Sequence, residues 1–146
     1  MLADRPIVWP LTLPMCAPVS DGAAAAILCT EAGLRRLGAH ARAVELRACV
    51  LGTSVDRHPD DLERHIGRVT ALKAFEAASI GSEDIDVAEV HDATAVGEVI
   101  QVENLGLCPR GLGGEAALRG QTSLGGRTPV NPSGGLEDRK STRLNS

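Results

Sequence analysis

At 146 residues and 43% hydrophobic side chains the chain can bury one domain's core, but one Phe, one Trp and no Tyr leave that core to Ala, Val, Leu and Ile. A formal net charge of −4, with no basic stripe and no aromatic platform, argues against a nucleic-acid surface. No apolar run approaches the length of a membrane span, and the start, MLADRPIVWPLTLPMCAP, lacks the basic-then-apolar pattern of a signal peptide, so a cytoplasmic location is expected.

Pro6, Pro10, Pro14 and Pro18 each remove a backbone donor, so the opening run cannot be a regular helix. Next comes SDGAAAAILCTEAGLRRLG. Alanine propensity favours helix throughout, whereas the Asp21-Gly22 turn signal and the short apolar run also fit a buried strand, Ala23 to Cys29, leading into a helix near Glu31 to Leu37. ARAVELRACVLGT sets Ala41, Ala43, Val44, Leu46, Ala48 and Val50 against Arg42, Glu45 and Arg47, which reads as a strand ended by Gly52.

HPDDLERHIGRVTALKAFEAASIG reads as helix from Pro59, with Asp60 and Asp61 in its first turn, an interruption at Gly67 and a stop at Gly81. DIDVAEV gives a strand, Ile85 to Val90, and TAVGEVIQVENLGL a helix ending at Gly106. A glycine-rich excursion follows, with a short helix around Glu115 to Arg119, and RTPVNPSGGL gives a last strand and turn. The alternation of strands and helices is α/β.

Four cysteines, Cys16, Cys29, Cys49 and Cys108, show no C-x-x-C pair and no metal-ligand spacing. No metal site is expected; the first three read as packed thiols, and His40, His58 and His65 read as surface residues. The chemistry-bearing feature is VAEVHDATAVGEVI, where His91 and Asp92 sit at the handover from strand to helix. A side chain at the carboxyl end of a strand faces the crevice where α/β sheets bind ligands. Asp92, at a helix start, reads as an N-cap.

Four stretches in order carry a family resemblance: MCAPVSDGAAAAIL, ASIGSEDIDVAEVHDA, DIDVAEVHDATAVGEVIQVENLGLC and RTPVNPSGGLE. Together they resemble the C-terminal half of the thiolase superfamily, in particular the sterol-carrier-protein-x type, which includes lipid-transfer and acetyl-CoA acetyltransferase proteins. The resemblance implies an incomplete α/β thiolase-like fold: residues 1–38 as the end of the N-terminal half and 39–137 as a partial C-terminal domain. It implies that the parent is an acyltransferase on acyl-CoA thioesters, working by Claisen condensation or thiolytic cleavage. Coenzyme A is then substrate, no cofactor is covalently bound, and the parent is a homodimer.

By the same resemblance, His91 orients a water in an oxyanion hole, and Ala17, Pro18 and Val19 contact substrate. Where other thiolases carry a serine near the thioester, this chain has Ala17. The family's nucleophilic Cys, Gly-His-Pro and Cys-x-Gly motifs are not found, so the chain alone is expected to be inactive. The pattern fails at Asp138, and residues 138–146 read as a disordered, non-native tail. Two alternatives are a thiolase-like retro-aldolase or condensing subunit beside a zinc-ribbon/OB-fold partner, and a non-catalytic CoA-thioester or lipid-binding domain.

Overall fold

The computed structural model describes residues 5–19, 21–38 and 43–136. Its first element is a small antiparallel hairpin, β1 (Pro6–Val8) and β2 (Leu11–Thr12), followed by a 3-10 turn at Leu13–Met15. Pro6, Pro10 and Pro14 thus fall in the hairpin and the tight turn, where their missing donors are tolerated, and Pro18 in the irregular segment after them.

Helix α1 (Glu31–Leu37) has the bounds read from the sequence. The Gly33 N–H donates to Thr30 Oγ1 at 3.2 Å, and Gly38 stops the helix in the left-handed region at φ 63°. An Arg35–Glu31 ion pair lies one turn apart on its surface.

The expected strands at 23–29 and 41–50 do not form: both runs are irregular, and among the described residues, which leave out 41 and 42, no ladder pairs them. Their apolar side chains stay in solvent, Ile27 at 87% and Val44 at 95% of full exposure. A strand needs a neighbour for its N–H and C=O groups, and these segments have none among the described residues. Cys29 and Cys49 are consequently exposed, not packed.

Helix α2 (Ile66–Ala78) starts later than Pro59. Arg57 Nη1 donates to the carbonyls of His58, Pro59 and Asp61 at 3.2, 3.0 and 3.1 Å, taking acceptors that a helix there would need. The Asp61 carboxylate, expected to serve a helix first turn, instead accepts from the Arg64 N–H in this loop. Gly67 does not break α2, because it lies in the first turn. A Cβ there would sit 2.7 Å from Gln101 Oε1 and 2.9 Å from Asn104 Nδ2, so glycine lets α2 approach the next helix closely.

That helix, α3 (Ala95–Asn104), reaches its stop at Gly106, whose φ is 71°. Its cap is Thr94, whose Oγ1 accepts from the Gly97 N–H at 3.0 Å. Helix α4 (Gly113–Leu118) follows and packs on α3, and its Gly113 N–H donates to Glu103 Oε1 at 2.9 Å. Gly111, with φ 77°, makes the bend before it. Among the described residues the buried apolar ones are Ala71, Ala78, Ala88, Val102 and Ala116, the small-residue core that the composition requires. The one ladder among the described residues is the β1–β2 pair, and the expected strand Ile85 to Val90 pairs there only at Ala88, in an isolated bridge parallel to Val130.

Between α2 and α3 lies a polar knot. Asn104 is 1% exposed; its Nδ2 donates to Gln101 Oε1 at 3.2 Å and meets His65 Nδ1 at 3.0 Å, and Arg110 Nη1 donates to its Oδ1 at 3.0 Å. His65 is therefore not a surface residue. It is half-buried and caps α2, its Nδ1 accepting from the Gly67 N–H at 3.0 Å. Two donors converging on Nδ1 require a lone pair there, so the ring is neutral with its proton on Nε2.

Burial, then the Arg57 and Arg110 charges, hold the His65 pKa below its ordinary value of 6.5. A folded-state pKa depressed below the unfolded one gives a stability contribution present above pH 6.5 and lost as pH falls through the folded value. The unfolding midpoint should therefore drop between pH 7 and pH 5 by more in the wild type than in His65→Asn, which keeps a cap acceptor but cannot titrate. Equal drops in the two proteins would remove His65 as the source.

Candidate functional site

Three segments distant in sequence meet beside the start of α3. Cys16 forms an antiparallel bridge with Thr94, and the Ala17 N–H donates to Ala93 O at 3.0 Å. On the other side, Ala88 N–H donates to Pro129 O at 3.0 Å and Asn131 N–H to Ala88 O at 2.8 Å. The run 88–94 is thus a central strip, with the 16–17 loop along one part of it and the 129–136 turn along another.

The turn is clasped by side chains of the strip. Asn131, at φ 50°, accepts from the Val90 N–H through Oδ1 at 2.7 Å and donates through Nδ2 to Glu98 Oε2 at 2.9 Å. Glu89 takes the Ser133 N–H at 3.0 Å and its hydroxyl at 2.8 Å. Asp92 Oδ1 accepts from the Leu136 N–H at 2.7 Å.

His91 lies in the middle of this strip and is exposed, whereas Asp92, one residue on, is 4% exposed. The expectation that Asp92 caps α3 is corrected: Thr94 is the cap, directly before Ala95, and the Asp92 carboxylate serves the turn 44 residues away. The aspartate leaves His91 free of a carboxylate all the same.

Of the residues expected to contact substrate, Ala17 is half-buried on the strip, while Pro18 and Val19 are exposed beyond it. Cys16 is half-buried; Cys108 is also half-buried, and burial followed by the nearby Glu103 raises its thiol pKa, which keeps it protonated. Among the described residues no group of three or more His, Cys, Asp or Glu could hold a metal, and no helix is long and apolar enough to cross a membrane. Glu89 and Glu98 carry no signal in the sequence, and Asn131 reads there only as part of a turn. Each acts on a residue more than 30 positions away, and no local spacing encodes that.

The layout is that of an α/β protein with a histidine presented where an extended strip hands over to a helix, beside a glycine-containing turn. The family model described as thiolase C-terminal domain-like matches residues 51–145. The chain belongs to that family. Among curated relatives it is 37% identical over 145 residues to sterol carrier protein 2 of Oryctolagus cuniculus, covering 93% of this chain and 26% of that one. It is 40% identical over 140 residues to an acetyl-CoA acetyltransferase of Methanothermobacter thermautotrophicus, covering 95% of this chain and 35% of the relative. Benzoylsuccinyl-CoA thiolase subunit BbsB of Thauera aromatica is 34% identical over 135 residues, covering 91% and 35%. The chain therefore spans about a quarter to a third of the length of these relatives. The family match runs past Glu137; the tail expected at 138–146 falls outside the described residues.

Proposed function

We propose that the complete protein is a thiolase-type acyltransferase on acyl-CoA thioesters and that His91 is its oxyanion-hole residue. The reading is supported by one observation above all. The three segments that resemble thiolase motifs, around Cys16, His91 and Asn131, are joined by backbone bonds into one strip, with the His91 side chain open to solvent between them.

In the reaction a base removes the α-proton of an acetyl thioester, and the electron pair moves onto the thioester oxygen as the enolate forms. The enolate carbon then attacks the carbonyl of an acyl group held on a cysteine; a carbon–carbon bond forms, and the cysteine sulfur leaves and regains a proton. Cleavage is the reverse. His91 holds a water by a ring N–H, and that water donates to the oxygen as charge develops on it. The cysteine and the acid/base groups come from other parts of the complete protein.

A second reading is a condensing or retro-aldol subunit working beside a zinc-ribbon/OB-fold partner; the Thauera relative, named a thiolase subunit, supports the need for a second chain and not the chemistry. One assay separates the two. The complete protein by itself, given acetoacetyl-CoA and CoA, should consume the enolate absorbance, and the 146-residue chain should not. No turnover by the complete protein until a partner is added would support the second reading. Turnover by the 146-residue chain would overturn the assignment of the nucleophile to other parts.

A further inference from the structure

We propose that Asn131 is a positioning residue: its carboxamide stands in for a backbone carbonyl and holds the strip in place one residue before His91. The inference rests on the reading of His91 above. The 88–94 strip and the 129–131 segment begin as a parallel pair, with Ala88 N–H donating to Pro129 O at 3.0 Å and Asn131 N–H to Ala88 O at 2.8 Å. The next rung of a parallel ladder would run from the Val90 N–H to the Asn131 backbone carbonyl. That carbonyl is turned away. At φ 50° Asn131 leaves the extended region, and its carbonyl accepts from the Gly134 N–H at 2.8 Å instead. The side chain fills the empty rung, its Oδ1 accepting from the Val90 N–H at 2.7 Å.

The other end of the same carboxamide donates through Nδ2 to Glu98 Oε2 at 2.9 Å, in the first turn of α3. A donor on one side and a carboxylate on the other fix which end of the amide faces which. His91 is exposed, so its place is set by the backbone that carries it. After His91 the strip is held by the Ala17–Ala93 bond and by the Asp92 carboxylate. Before it, among the described residues, the Asn131 rung at Val90 is the nearest hold on the backbone. The Glu89 clasp on Ser133 works through an exposed side chain, which can follow a shift of the strip. Without the rung, the nearest upstream backbone bond is at Ala88. Groups misplaced by about 1 Å cost roughly a hundredfold in rate, and the His91 water moves with the strip.

In the complete protein, Asn131→Gly permits the same φ but deletes the rung, and should lower kcat about thirtyfold with KM for the thioester within about twofold. The loss should pass through His91. Adding Asn131→Gly to His91→Ala should therefore cost less than about threefold beyond His91→Ala alone. Asn131→Asp should lower kcat about tenfold, because the new carboxylate faces Glu98. Adding Glu98→Gln returns a donor to the pair and should bring kcat back to within about threefold of wild type. This second pair of variants decides the matter should Asn131→Gly not fold. Hydrogen exchange at the Val90 amide should speed up at least about tenfold in Asn131→Gly and return toward the wild-type rate in the Asn131→Asp, Glu98→Gln double variant.

If His91→Ala lowers turnover while Asn131→Gly does not, or if their losses multiply when combined, the positioning role is overturned and the His91 reading survives. A double Asn131→Asp, Glu98→Gln variant no better than Asn131→Asp alone would overturn it too. If His91→Ala has no effect, the His91 reading falls and takes the positioning role with it.

Discussion

Replacing His91 by Ala in the complete protein should cut turnover by about a hundredfold or more and leave CoA affinity nearly unchanged. Removing one oxyanion donor costs roughly 2.7–4 kcal/mol of transition-state stabilisation, and about 1.4 kcal/mol is a factor of ten. The loss falls on kcat because the contact is made when charge sits on the thioester oxygen, not when the thioester binds. His91 is exposed, so its removal leaves no cavity and should hardly move the unfolding midpoint. His91→Asn, which retains a side-chain N–H, should recover part of the rate. Equal turnover in wild type and His91→Ala would return this histidine to an ordinary surface role.

The second large effect is on stability. Asn104→Ala removes the centre of the α2–α3 knot, leaving the Arg110 guanidinium, Gln101 and His65 each short of a partner. Hydrogen bonds to a charged group are worth about 1.5–3 kcal/mol and the half-buried Gln101 acceptor loses its partner as well, so a loss of about 2–3 kcal/mol is expected. Urea unfolding should show a lower midpoint with an unchanged slope. A change under about 0.5 kcal/mol, the scale of an ordinary surface substitution, would show that water replaces the carboxamide without penalty.

Helices were legible because their signals are local. Thr30 and Gly38 bracket α1, and Gly106 stops α3, all within one turn of the residues they serve. The α2 start was not, because Arg57 competes for the carbonyls from outside the helix pattern and because histidine is not an expected cap. One strand was read from apolar alternation and the other, Ala23 to Cys29, from a short apolar run, yet pairing is a property of neighbours: Val44 and Ile27 lie in solvent.

Asp92 shows the same limit at the site. Its place before a helix suggests a cap, and Thr94, two residues on, carries the same signal and holds the role. What Asp92 does depends on a partner 44 residues away. The place of His91 ahead of α3 was legible from the change of pattern at the seam, and the role proposed for it comes from the ordered motifs of the family resemblance.

The most direct test of the central claim is a crystal structure of the complete protein with a hydrolysis-resistant acyl-CoA analogue. The analogue's carbonyl oxygen should lie within hydrogen-bond reach, about 2.7–3.1 Å, of a water that also bonds the His91 ring. An analogue bound elsewhere, with the His91 ring touching only bulk solvent, would contradict it.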